Sequence, residues 1–215
     1  MAASSKHIVN TPVRAKRSDG FVVTKEEEIP SFLIYEVLDN KPVYYAGYKE
    51  VLAKRKQPEQ IMGSSGLQSF LIVDIIAQLL LILPPAYYRI GTNESGIMYQ
   101  KGNWVNSDII IFRKENLTEY KLDDTYLKIP PQVVIEVDTK ADFSGFSSSS
   151  DYFYAKTQRL LDFGVEKVIW LFTNENSRKV MVATNNADWT ISNWNKEIEV
   201  LDGKTVNFDL LLKNL

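Results

Sequence analysis

Two carboxylates stand where the chain otherwise spells apolar strands. Asp108 opens Ile109-Ile110-Ile111, and Glu136 interrupts Val133-Val134-Ile135 ahead of Val137. A carboxylate buried in such a run is costly unless it is paired or bound to a cation. Strand side chains alternate faces, so Val134, Glu136 and Asp138 are expected to point the same way. Glu136 and Asp138 then meet one ion if Asp108 lies on a neighbouring strand. Three oxygen-donor carboxylates suit Mg²⁺ or Mn²⁺. A lysine completes such a set by orienting an attacking water or steadying charge on a phosphate. Two lysines qualify. Lys140 continues the alternation if the strand runs that far, and Lys156 lies on the helix that follows. Acidic residues also occur at strand ends with no such role, so the pattern alone leaves both readings open.

The composition narrows the chemistry. The 215 residues include 27 acidic and 25 basic side chains, no cysteine and one histidine, His7. Without cysteine there is no disulfide, thiolate zinc site or cysteine nucleophile. One histidine excludes a multi-histidine metal centre. Hydrophobic residues at 45% and charged residues at 24% describe an ordinary globular chain, for which one domain is the default. The charge is uneven. Residues 1–25 carry Lys6, Arg14, Lys16, Arg17 and Lys25 against Asp19, a net +4, so the remainder carries −6. The expected organisation is therefore a flexible basic arm over residues 1–28, then one domain over 29–215. No apolar leader opens the chain, and Leu67–Leu83 contains Asp74 and Gln78, which argues against a membrane span. With no cysteine, a cytoplasmic protein is expected.

The elements that must position these residues are legible in outline. Phe32–Leu38 reads as a helix or strand, Asp39-Asn40 as a turn, and Pro42–Tyr45 as a strand. The segment after Gly63-Ser64-Ser65-Gly66 predicts a helix ending at Pro84-Pro85, apolar on nearly all sides and so heavily covered. Tyr87–Ile90, Ile97–Gln100, Asp108–Phe112 and Gln132–Asp138 are strand-like. Asp151–Phe163 has helical spacing and stops at Gly164, a C′ glycine. Strands are expected at 167–173, 179–184, 188–193 and 197–201, then a short helix at 208–212. This order predicts an α/β (α+β) domain, a mixed sheet flanked by helices.

Five stretches taken together resemble the Uma-type restriction-endonuclease family, a bacterial group related in fold to PD-(D/E)XK nucleases. They are Tyr35–Val43, Met62–Gln68 with the apolar helix after it, Ser107–Ile111, Pro131–Val137, and Lys156 followed by Gly164–Leu171. The likeness runs from about residue 30 to about residue 205. It implies a restriction-endonuclease-like core, Asp108 and Glu136 as ligands of Mg²⁺ or Mn²⁺, and Lys156 as the lysine of the site, moved from strand to helix. It makes Asp138 either an extra ligand or a polar strand end, and Glu36 an auxiliary acid. The implied activity is hydrolysis of DNA phosphodiester bonds by a homodimer.

Some positions depart from the family pattern. Gln68 stands where the family has a histidine, Ser107 where it has a proline, and a longer Ser-rich loop follows Asp138. These departures motivate a rival expectation: a nuclease fold with weakened or lost catalysis, acting as a nucleic-acid or protein binding module. Trp170 is expected in the core, while Trp189 and Trp194 alternate with polar residues and suit a subunit interface. Lys54-Arg55-Lys56 reads as a solvated turn.

Overall fold

The computed structural model describes residues 8–9, 27–121, 123–175 and 177–212. His7 and nearly all of the basic arm lie outside the described residues. Two short strands flank that stretch, β1 (Ile8–Val9) and β2 (Glu27–Glu28), paired antiparallel.

The next elements are β3 (Ile34–Leu38), β4 (Lys41–Tyr44), α1 (Tyr48–Leu52), α2 (Glu59–Met62) and α3 (Gly66–Ile82). Then come β5 (Tyr88–Gln100), β6 (Asn103–Arg113), β7 (Val133–Val137), α4 (Ser149–Phe163), β8 (Lys167–Phe172), β9 (Lys179–Thr184) and β10 (Ala187–Asn193). The hairpin β11 (Ile198–Leu201) and β12 (Lys204–Val206) and the helix α5 (Phe208–Leu212) close the order. Eight strands form one mixed sheet in the order β10-β9-β8-β7-β6-β3-β4, with β5 on β6. Only β7 and β8 run parallel, because α4 carries the chain back between them.

The sheet is mixed and flanked by helices, as the alternation of elements predicts. β7 is buried along its whole length, which is why it reads as Val and Ile broken at Glu136. Its odd residues Val133, Ile135 and Val137 pack with Leu71, Ile75 and Leu79 of α3. Val134 packs on the other face with Tyr152, Leu160 and Leu161 of α4. Glu136 shares that face by register. So the carboxylate is aimed at α4, and the apolar residues around it are divided between two cores.

Three differences from the sequence expectation have physical causes. Residues 87–90 and 97–100 are not separate strands. Residues 88–90 and 97–100 are the two ends of β5, which pairs along β6 and bulges between Thr92 and Ser95, where Asn93 and Glu94 take positive φ. Helix α3 is buried on one stripe only. Phe70, Val73 and Leu81 are 64%, 62% and 79% exposed, so its all-round apolarity leaves an uncovered face. Trp194 is buried in the α3 core, where its Nε1 donates to the Lys179 carbonyl at 2.9 Å, so it lines no subunit surface. Among the described residues, no helix is long and apolar enough to cross a membrane.

Gly164 ends α4 at φ 114, and a Cβ there would meet the Pro130 ring at 3.1 Å. The left-handed backbone and this contact act together. Gly164→Ala should cost about 1–2 kcal/mol. The expected result is a lower urea midpoint with an unchanged denaturant slope.

Candidate active site

The site forms where β3, β6 and β7 pass under α4. Ser148 caps the first turn of α4 by accepting from the Asp151 amide at 3.2 Å. The same helix then directs Tyr152 and Lys156, one turn apart, onto the sheet. Both side chains are fully buried.

Lys156 is the centre of the cluster. Its Nζ lies 3.2 Å from Glu36 Oε2 and 3.2 Å from Glu136 Oε1, and donates to the Asn106 carbonyl at 2.7 Å. The rings of Tyr35 and Trp170 lie 5.7 and 5.5 Å from the ammonium. Burial would strip its proton, but Glu136 and Glu36 more than offset this and hold the lysine charged. Glu36, on β3, also accepts from the Tyr152 hydroxyl and from the Asn106 amide at 3.4 Å. Burial and the Glu36 charge keep the Tyr152 phenol protonated, so it serves as a donor.

Glu136 is less well served. Its Oε1 contacts Lys156 as an ion but has no hydrogen bond of good angle. Burial pushes its carboxyl up to about 8 against the pull of Lys156. Asp108, on β6, is 8% exposed and is also raised, chiefly by burial. Its Oδ2 accepts from the Val137 amide at 2.7 Å, which ties it to the residue after Glu136. Gln68, in the first turn of α3, donates from Nε2 to the Val137 carbonyl at 2.9 Å and lies 3.4 and 3.5 Å from the two oxygens of Asp108. Asp108 opens onto a cleft of about 460 Å³ lined also by Ser69, Thr92, Glu94 and Lys140.

The structure therefore brings together Glu36, Asp108, Glu136 and Lys156. It does not bring Asp138 or Lys140 onto the same line. β7 ends at Val137, and Asp138 takes φ 53, so the expected alternation stops there. The Asp138 carboxylate instead accepts from the Thr173 amide at 2.9 Å and from the Thr173 hydroxyl. Lys140 pairs with Glu94 at the cleft. Among the described residues, no three acidic or histidine side chains converge as a metal cage.

The sequence expectation did not include Tyr152, Asn106 or Tyr35. Two of them carried a usable signal. Tyr152 precedes Lys156 by four residues on one helix face, and Asn106 precedes Asp108 by two on one strand. Gln68 was visible only as a departure from the family pattern, and the structure places it directly on Asp108.

No protein-family model matches the chain, and no curated protein matches it. Among solved structures it is similar to the crystal structure of a candidate nuclease belonging to DUF820 from Anabaena variabilis ATCC 29413. The two share 12% sequence identity at a TM-score of 0.60, over 83% of this chain and 89% of that one. At that identity the likeness is one of fold: the mixed sheet that carries Asp108 and Glu136, with its flanking helices, is an architecture found in a candidate nuclease.

Proposed function

We propose that this chain is a metal-dependent endonuclease that hydrolyses DNA phosphodiester bonds, with Asp108 and Glu136 holding Mg²⁺ or Mn²⁺. The observation that carries this reading is a shortage of positive charge. Glu36 and Glu136 share the one Lys156 ammonium, Asp108 is buried within its electrostatic reach, and both Glu136 and Asp108 are held above their ordinary range by burial. A divalent cation is the partner such a set lacks. Two carboxylates and a backbone carbonyl, short of a full protein cage, fit an ion that keeps several waters, as Mg²⁺ does.

Such an ion, when bound, supplies a polarised phosphate and an activated water. The chain's own residues do the rest. Val137 N–H fixes the Asp108 carboxylate toward the cleft. Lys156 neutralises Glu36 and stays within 3.2 Å of Glu136, so from its buried position it holds the Glu136 carboxylate in place for the ion. Tyr152 and Asn106 fix Glu36 and thereby the ammonium. Asp138 assists as a ligand once its carboxylate rotates away from Thr173. The exposed Phe70, Val73 and Leu81 support self-association into a homodimer, and the lack of cysteine fits a reducing cytoplasm.

Cleavage of supercoiled plasmid with Mg²⁺ or Mn²⁺ tests the reading. Wild type is expected to nick the plasmid and to stop in chelator. Asp108→Asn and Glu136→Gln should each lose roughly 100-fold or more in rate, the scale of losing one preorganised electrostatic partner. Their circular dichroism should match wild type. Wild-type rates in Glu136→Gln would overturn the assignment.

A second reading has one observation in its favour, the Gln68 amide lying on Asp108. It makes the chain a nuclease-fold binding module. It predicts DNA or protein binding that is unchanged by chelator, with no cleavage at any metal concentration.

A further inference from the structure

Gln68 Nε2 faces three oxygens at once: the Val137 carbonyl at 2.9 Å and the two Asp108 oxygens at 3.4 and 3.5 Å. An amide nitrogen carries two hydrogens, so it cannot serve three acceptors well. The long contacts to Asp108 show the poor fit. Converging carboxylate and carbonyl oxygens are instead what a hard cation takes, at about 2.0–2.6 Å. The Gln68 amide nitrogen stands within 3.5 Å of all three of these oxygens.

The N-terminus of α3 supplies a second partner that the side chain could take. Ser65 is the N-cap of α3 and accepts from the Gln68 amide N–H at 3.1 Å. Ser65-Gly66-Leu67-Gln68 is capping-box spacing, in which the residue at Gln68's position turns its side chain back to the N-cap backbone. In this structure Gln68 forgoes that bond and reaches the site. A rotamer turned back to the N-cap would therefore have a defined partner too, at the helix end.

We propose that the Gln68 carboxamide is a built-in plug that occupies the cation seat between Asp108 and the Val137 carbonyl, and that a divalent cation binds only as the amide swings back to cap α3. This inference rests on the metal-site reading given above and adds a gate to it. The cation must displace the Gln68 hydrogen bonds, so its apparent affinity is lowered by the population of the plugged rotamer.

Mn²⁺ alone is the probe, with the free ion counted by electron paramagnetic resonance against full-length protein. Gln68→Ala removes the plug. Gln68→Asn keeps the amide but shortens its reach, and serves as a second variant if the first folds poorly. Both are expected to bind Mn²⁺ roughly tenfold more tightly than wild type, since the displaced bonds together are worth about one such factor. Asp108→Asn should lose binding. If wild type binds and both Gln68 variants bind equally or more weakly, the plug is overturned while the metal site stands. If no protein binds Mn²⁺, the plug and the metal-site reading fall together.

Discussion

Replacing Lys156 with methionine should lower folding stability by about 3–5 kcal/mol, the usual cost of removing one partner from a buried ion cluster. The loss is electrostatic, because methionine fills most of the same space. Lys156 is fully buried, as is Glu36, and Glu136 is 1% exposed. Without the ammonium, Glu36 still accepts from Tyr152 and Asn106. Glu136 keeps nothing comparable at Oε1. The penalty therefore concentrates on Glu136. Its carboxyl already sits at about 8, and loss of Lys156 raises it further. A carboxyl raised on folding stabilises the folded state while it can stay protonated, and that contribution fades as pH climbs toward the folded value. The variant should therefore be weaker at pH 9 than at pH 6 by denaturant titration. Lys156→Met combined with Glu136→Gln should recover much of the loss, since it removes the unpaired charge with its partner. If Lys156→Met costs less than about 1 kcal/mol at pH 9, the cluster is not the buried network described here.

The residues of that cluster show what a sequence can and cannot disclose. Glu136 was legible because a charge inside Val-Val-Ile-Glu-Val contradicts the strand around it. Asp108 was legible for the same reason at the start of Ile-Ile-Ile. The helix of Lys156 was legible from its spacing and its terminal glycine. What could not be read was reach. Lys156 meets Glu36 across 120 residues of chain, and that pairing depends on β3 lying beside β6, which no local pattern states. The alternation expected through Asp138 stops for a local reason instead. Alternation holds only while the strand continues, and the left-handed turn at Asp138 ends it one residue after Val137. The exposed stripe of α3 failed for a compositional one. An apolar helix can be read as apolar, but which of its faces finds a partner is settled by the sheet and α5.

Trp170→Ala should be at least as damaging as the loss of Lys156, at about 3–5 kcal/mol for a buried aromatic truncated to a methyl. Trp170 has no exposed surface and stands opposite Glu136 in the parallel ladder. Its ring packs edge-on to Phe153 at 4.9 Å, lies nearly parallel to Phe172, and flanks the Lys156 ammonium at 5.5 Å. Its Nε1 donates to Thr157 Oγ1 at 2.8 Å, and Thr157 is itself fully buried. Two kinds of loss are thus combined: a cavity beside α4, and a hydroxyl left without its donor. Trp170→Phe separates them. It retains most of the packing but leaves Thr157 unserved, which should cost about 1–3 kcal/mol. Adding Thr157→Val to Trp170→Phe removes the orphaned group and should return part of that cost. Urea unfolding of the series checks the order. Equal stability of Trp170→Phe with and without Thr157→Val would mean that the hydroxyl finds another partner. The ring matters to the site as well as to the core. It helps wall the ammonium from water, so a cavity there would admit solvent beside Lys156 and weaken the same charge pairing that holds Glu136 in place.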